Sequence, residues 1–216
     1  MGTITRGVAN GITTSGVVLK AIINNASMDN ITTFPASFVD GITLISSQTA
    51  SNSASISFTS GITSTYKAYK FVFSNIHTRT DAVDFEFNLS TDSGSNYNVT
   101  KTSSSFVAYH QENDTDAGLV YTSAMDLAQS TAYQNITDEA GNGADESISG
   151  SLLLFNPAST VYVKHYISLV NNYYKGDAPN AHYIAGYGNT TSAVNAVRFQ
   201  MSSGNFDGTI YLYGIK

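Results

Sequence analysis

From about residue 43 the chain is a succession of short runs in which apolar and polar residues alternate, separated by turns rich in Gly, Asn, Asp and Ser. Ile56 and Phe58 alternate with Ser55 and Ser57. Tyr69, Phe71 and Phe73 follow at the same spacing, and Val83, Phe85, Phe87 and Leu89 then alternate with Asp84, Glu86 and Asn88. A period of two sends successive side chains to opposite faces of a strand, so these runs predict half-buried strands, the last with an acidic outer face. The same rhythm returns over 104–110, 147–155, 161–170, 181–187, 194–201 and 209–215. Roughly nine or ten strands over about 170 residues predict an all-β fold, a jelly-roll-like antiparallel β-sandwich over 43–216.

Two stretches break the rhythm. Residues 1–42 set short apolar pieces, Val17-Val18-Leu19 and Ala21-Ile22-Ile23, between Gly2, Gly7, Gly11, Gly16 and Gly41. The phrase Gly11-Ile12-Thr13 recurs as Asn30-Ile31-Thr32, Gly41-Ile42-Thr43 and Gly61-Ile62-Thr63, at spacings too irregular for a solenoid. Such a stretch wants burial and is too short to bury itself, so it is expected to be an extended anchor or oligomerisation segment that orders on a partner. The second stretch, about 111–146, reads as an irregular acidic insertion with at most a short helix over 123–129; so long an insertion in a compact domain is a place to look for a ligand.

Composition supports the strands. Ser, Thr and Asn make up 71 of 216 residues, charged residues only 12%. These small polar residues compete with a helical backbone for hydrogen bonds. They are expected to tile the outer strand faces and turns, keeping a sandwich soluble with few charges. A net charge of -6 with ten Lys and Arg leaves no broad basic face, which disfavours nucleic acid as a partner. Half of the sixteen carboxylates lie in the insertion, and no Lys or Arg occurs between Thr102 and Val163. The amino-terminal residues carry no basic segment followed by an apolar run, and no apolar stretch approaches the roughly 20 residues that cross a bilayer, so neither a secretory leader nor membrane insertion is expected. Seven Asn-x-Ser/Thr sequons, Asn30, Asn98 and Asn189 among them, are explained by the abundance of these residues.

The catalytic inventory is thin. There is no Cys, no Gly-x-Ser-x-Gly elbow, no phosphate-binding loop and no His-Glu-x-x-His. His77, His110, His165 and His182 are scattered, with His165 expected on an inward face beside Val163 and Ile167. Asp84 and Glu86 would lie about 7 Å apart on one strand face, a separation that glycoside hydrolysis tolerates. Alternating charge on an outer face explains them more simply. Asp114-Thr115-Asp116 offers hard oxygen ligands of the kind calcium takes, without the rest of an EF-hand loop, and reads as a solvated acidic loop. The chain is therefore expected to be non-enzymatic, with no metal and no cofactor. Asp114, Asp116, Asp138 and Glu139 of the insertion, with the adjacent phenols Tyr173 and Tyr174 in an Asn-rich turn, are the candidate binding residues. Tyrosine rings stack on sugar faces, and carboxylates accept from sugar hydroxyls.

Ser90-Thr91-Asp92-Ser93-Gly94-Ser95-Asn96-Tyr97 matches the Ser-x-Asp-x-Gly-x-x-aromatic Asp box. Asp92 is placed to accept from turn amides, Gly94 to take a positive φ and Tyr97 to fold back over the hairpin, which makes the motif structural. Sialidase-like propellers repeat the box blade after blade, and a single copy argues against that fold.

Several phrases carry a resemblance. Ile4-Thr5-Arg6-Gly7-Val8-Ala9-Asn10-Gly11-Ile12-Thr13, Tyr69-Lys70-Phe71-Val72-Phe73-Ser74-Asn75-Ile76-His77, the Asp box, Phe155-Asn156-Pro157 and the ending from Phe199 to Gly214 resemble virion structural proteins of tailed bacteriophages, over most of the chain and least in the insertion. The resemblance implies a non-enzymatic protein displayed on the virion surface, assembled in the host cytoplasm and often trimeric. Residues 1–42 would anchor it to other virion proteins, and a jelly roll would face outward. It fits a tail-fibre or receptor-binding component that touches host-surface glycan, or a head decoration protein that cements the capsid. A small glycan-active hydrolase is the alternative of another class.

Overall fold

The computed structural model describes residues 41–216, so the anchor expected over 1–42 lies outside the described residues except for Gly41 and Ile42. Twelve strands follow: β1 (Ile42–Ser53), β2 (Ser55–Phe58), β3 (Ala68–Thr78), β4 (Phe85–Ser90), β5 (Lys101–His110), β6 (Ala117–Tyr121), β7 (Gln134–Asn135), β8 (Ile148–Phe155), β9 (Lys164–Tyr174), β10 (Ala178–Gly188), β11 (Ala196–Met201) and β12 (Phe206–Ile215). All pairings are antiparallel. The fold is all-β, a jelly-roll-like sandwich of unequal sheets. Eight strands run in the order β1-β12-β3-β8-β9-β10-β5-β6, and four in the order β2-β11-β4-β7.

Alternation decides the inner faces. Tyr69, Phe71, Phe73, Leu152, Leu154, Tyr166, Val170, Ile184, Ile210 and Leu212 of the larger sheet are buried against Ile56, Phe58, Phe85, Phe87, Leu89, Val197 and Phe199 of the smaller. Phe199 is the hub, its ring centroid 5.1 to 6.3 Å from those of Phe58, Phe71, Phe73, Phe85 and Phe87.

Four strands cannot cover eight, and the acidic insertion supplies the missing cover. Met125, Ile136 and Ala140 join the core. Gln134 bridges the layers, Nε2 donating to the Met125 carbonyl at 2.7 Å and Oε1 accepting from the Tyr166 hydroxyl at 2.9 Å. The Asn172 amide reaches the Asp138 carbonyl at 3.0 Å. No helix forms over 123–129, where turns bring Met125 under the sheet instead. The insertion is thus less irregular than its sequence suggests. Residues 111–121 make the β5–β6 hairpin, and 122–146 form a packed plug. Burial of Met125 and Ile136 outweighs the turn-rich composition that hides them.

His165 is exposed, because the inward set of β9 is Lys164, Tyr166, Ser168, Val170 and Asn172. The expected alternation is one residue out, since the buried lysine and asparagine do not look like core. Nor do small polar residues alone tile the outer face of the larger sheet. Ile167, Leu169, Phe106 and Tyr183 stand on its outer face, 52%, 49%, 41% and 38% exposed.

The Asp box closes the β4–β5 connection. Asp92 Oδ1 accepts from the Ser90 hydroxyl at 2.7 Å and the Asn96 amide at 2.9 Å, and these bonds pull its carboxyl down to about 2. Gly94 has φ +90, and a side chain there would meet the Tyr97 hydroxyl. Tyr97 folds back beneath the Arg198 guanidinium, 4.1 Å from its ring centroid.

Candidate functional site

Where the hairpin turns away from the plug, it leaves a groove of about 330 Å³ on the inner side of the β6-β5-β10-β9 half of the larger sheet. Val107, Val120 and Ala178 are its apolar lining, and Tyr109, Gln111, Asp116, Thr122, Asp138, Tyr174 and Asn180 its polar one. Parity puts them there. Val107 and Tyr109 share the inward face of β5, Ala178 and Asn180 that of β10, and Tyr174 ends the inward set of β9.

Both phenols are held by carboxylates. The Tyr109 hydroxyl donates to Asp116 Oδ2 at 3.0 Å and the Tyr174 hydroxyl to Glu139 Oε2 at 2.9 Å. Each partner raises its tyrosine's pKa, so both rings stay neutral and oriented. Glu139 also accepts from Lys175 Nζ at 2.7 Å, and this bond, with that of Tyr174, lowers its carboxyl. Asp138 is pushed the other way, first by burial and then by the charges of Asp84 and Glu139. The groove therefore offers one exposed carboxylate, one that holds its proton more readily, two aromatic rings and the amides of Gln111 and Asn180. Such a set has the chemistry to hydrogen-bond to and stack on a neutral polyhydroxylated ligand.

Three of the six candidate residues, Asp116, Asp138 and Tyr174, meet in this groove, and Glu139 braces it from behind. Asp114 does not join them. It sits on the hairpin tip, 2.9 Å from His110 Nε2 and almost fully exposed. Tyr173 and Tyr174 are the last residues of β9 and not a turn, so their side chains part. Tyr173 enters a separate hollow beside Glu112 and Asp145, its hydroxyl pushed up to about 12 by desolvation and by Glu112 and Asp177. Tyr109, Gln111 and Asn180 escape the sequence reading, although Tyr109 stands two residues after Val107 on the same face.

Asp84 and Glu86 do share a face, but not an open one. Asp84 accepts from Asn135 at 2.7 Å and from the Glu139 amide at 2.9 Å, and Glu86 accepts from Gln200 at 2.7 Å. Burial raises both carboxyls. Asp114 and Asp116 are likewise hydrogen-bonded apart, and among the described residues no three His, Cys, Asp or Glu side chains converge as a metal site.

Deeper along β10, His182 is fully buried. Its Nε2 lies 2.9 Å from Asn172 Oδ1, Nδ1 has no partner, and burial lowers its pKa to about 4. At the far end of β5 in the same sheet, Lys101 is buried too. Its Nζ donates to Asn88 Oδ1 at 2.5 Å and the Val99 carbonyl at 2.9 Å, and desolvation brings its pKa to about 7. Neither group lines the groove. No protein-family model, no curated protein and no solved structure matches this chain.

Proposed function

We propose that this protein is a non-enzymatic surface component of a tailed-bacteriophage virion, a trimeric tail-fibre or receptor-binding element that holds host-surface glycan in the groove between the hairpin and the plug. The phrases that resemble phage virion proteins support the setting. The observation that carries the binding role is the convergence of Tyr109 and Tyr174 with Asp116, Asp138 and Asn180 on one concave surface. Tyrosine rings supply stacking faces at little conformational cost, and carboxylate and amide groups satisfy sugar hydroxyls, which is the chemistry of neutral glycan capture. Residues 1–42 attach the protein to the particle in this reading.

A panel of bacterial surface oligosaccharides, titrated against the full chain, tests the binding role. Micromolar-to-millimolar binding that falls at least tenfold in Asp116→Ala and in Tyr174→Ala is expected. Binding by no member of the panel, or binding that ignores both substitutions, removes the groove from the proposal. Cleavage of the oligosaccharide would revive a hydrolase. Counting copies in purified particles tests the location: a few to dozens fit a tail fibre, hundreds a head decoration protein, and none removes the virion.

A further inference from the structure

The outer face of the eight-stranded sheet is built unlike a solvent face. The strand registers lay its outward residues out in rows that cross every strand. One row, from β1 to β6, reads Ser47, Tyr211, Val72, Ser151, Leu169, Tyr183, Phe106 and Tyr121. The row beside it, from β1 to β10, reads Leu44, Tyr213, Lys70, Leu153, Ile167 and Ala185. Side-chain contacts agree: Phe106 and Tyr183 stack with centroids 4.8 Å apart and planes 8° from parallel. Nine of the twelve large hydrophobics that the described residues expose lie on this face, Leu119 at 70% and Tyr121 at 57% among them. Thr49, Thr209, Ser74 and Ser149 form a hydroxyl-bearing margin along one side.

We propose that copies of this chain associate through this face. It deepens the self-association within the proposed function and rests on that part alone, not on the virion or the glycan. Two properties single out a second copy as the partner. The first is charge. The chain carries a net charge of -6, so copies repel wherever carboxylates must meet. The rows from Thr49 to Leu119 and from Ile42 to Thr102 bound a surface whose strand positions hold no carboxylate and, tyrosines apart, only Lys70 and His165 as ionisable groups; the one carboxylate that reaches a row, Asp126, stands at the β6 margin and is held by the Tyr121 hydroxyl. Two like-charged chains can meet here without burying like charge. A basic partner finds only Asp126, at the margin and already held by Tyr121, and an anionic one finds a single lysine.

The second is area. Eight strands roughly 4.8 Å apart, each with about four outward residues at roughly 6.7 Å per outward step, make a surface on the order of 1,000 Å². A stable interface takes about 800 Å² from each partner, with an apolar centre and a polar rim. The aromatic and aliphatic rows are that centre, and the Ser and Thr margin is the rim.

Sedimentation velocity on the full chain over a range of concentrations reads the association directly. The wild type is expected at a multiple of 23.0 kDa. Leu169→Glu should weaken assembly at least 100-fold, whereas Ser55→Glu, on the other sheet, should leave it unchanged. Because the chain has no cysteine, single replacements give a second readout that spares the fold. Ile167→Cys should react with a maleimide at least tenfold more slowly than Ser55→Cys at high concentration and gain speed on dilution. A wild type of single-chain mass at every concentration overturns the proposal, even where the thiol of Ile167→Cys is protected, because something other than a second copy then covers the face. An assembled wild type overturns it as well if the thiol of Ile167→Cys reacts freely, and leaves self-association to another surface. Loss of glycan binding moves neither readout.

Discussion

The two outer faces of the sandwich are opposites. On the smaller sheet, Glu86, Asn88, Arg198, Gln200 and Ser57 are knotted to one another and to the connections that cross them: Gln200 to Glu86, Arg198 to Ser57, and Asn88 to the carbonyls of Tyr97 and Thr131. Lys101 is tied in from beneath. On the larger sheet the central outward residues include the rings and branched aliphatics of Phe106, Tyr183, Ile167 and Leu169, exposed, with Phe106 and Tyr183 stacked on each other. A buried polar knot contributes to stability only while every member is satisfied, so its worth lies within the chain. An exposed apolar face contributes nothing until something covers it, so its worth lies between chains. On the proposed reading, one face serves folding and the other assembly.

Asn88→Ala should break that division most severely. It removes one of the two acceptors of Lys101 and the donors to the carbonyls of Tyr97 and Thr131, leaving a buried amine short of a partner at a cost of about 3 kcal/mol or more, read as a lower denaturation midpoint with assembly of the remaining folded protein intact. The next effect is one of pH. The folded-state pKa of Lys101, about 7, lies below its ordinary 10.5. Between those values the unfolded chain binds the proton and the folded one does not, so stability rises with pH across that window by roughly 2 to 5 kcal/mol. Lys101→Met should flatten this slope, and an equal slope in that variant would show that Lys101 does not set it.

His182 works in a lower window. Its folded pKa of about 4 lies below the ordinary 6.5, so its contribution is complete above 6.5 and is lost as pH falls toward 4. Asp84, Glu86 and Asp138, raised by burial, oppose it there, gaining stability on acidification. Comparison with His182→Gln isolates the histidine, as the part of the acid slope that the variant lacks. The smallest effect belongs to the other face. Leu169→Ser should change single-chain stability by no more than about 0.5 kcal/mol when measured below the concentration of assembly. A loss of about 2 kcal/mol there, the scale of a truncated core leucine, would mean that the face is part of the core.

The strands are legible wherever apolar residues alternate at a clean period of two, as in Tyr69 to Phe73 and Val83 to Leu89. β1 is not, because Ile42–Ser53 carries a register shift between Leu44 and Ser46 and few apolar residues after Ile45. β9 reads one residue out because its inner face holds Lys164 and Asn172 while its outer face holds Ile167 and Leu169. That inversion is the sequence signature of the apolar face, visible only once the partner strands show which side is inward. The acidic insertion stands out in the sequence by its charge, but its charges do two jobs. Asp116 and Asp138 line the groove, whereas Asp126 caps Tyr121 and Glu146 folds back onto the Gly143 amide. Nothing in their order along the chain separates these roles, since the separation comes from Met125 and Ile136 entering the core. The groove residues Tyr109 and Asn180 come from strands outside the insertion and meet it only through sheet order.

Sedimentation of the wild type beside Leu169→Glu, over a dilution series, bears most directly on the division between a folding face and an assembly face. The wild type should pass from a multiple of 23.0 kDa to the single chain as it is diluted, and the variant should stay at 23.0 kDa throughout. A wild type that sediments as a single chain at every concentration, or a variant that assembles as the wild type does, would contradict it.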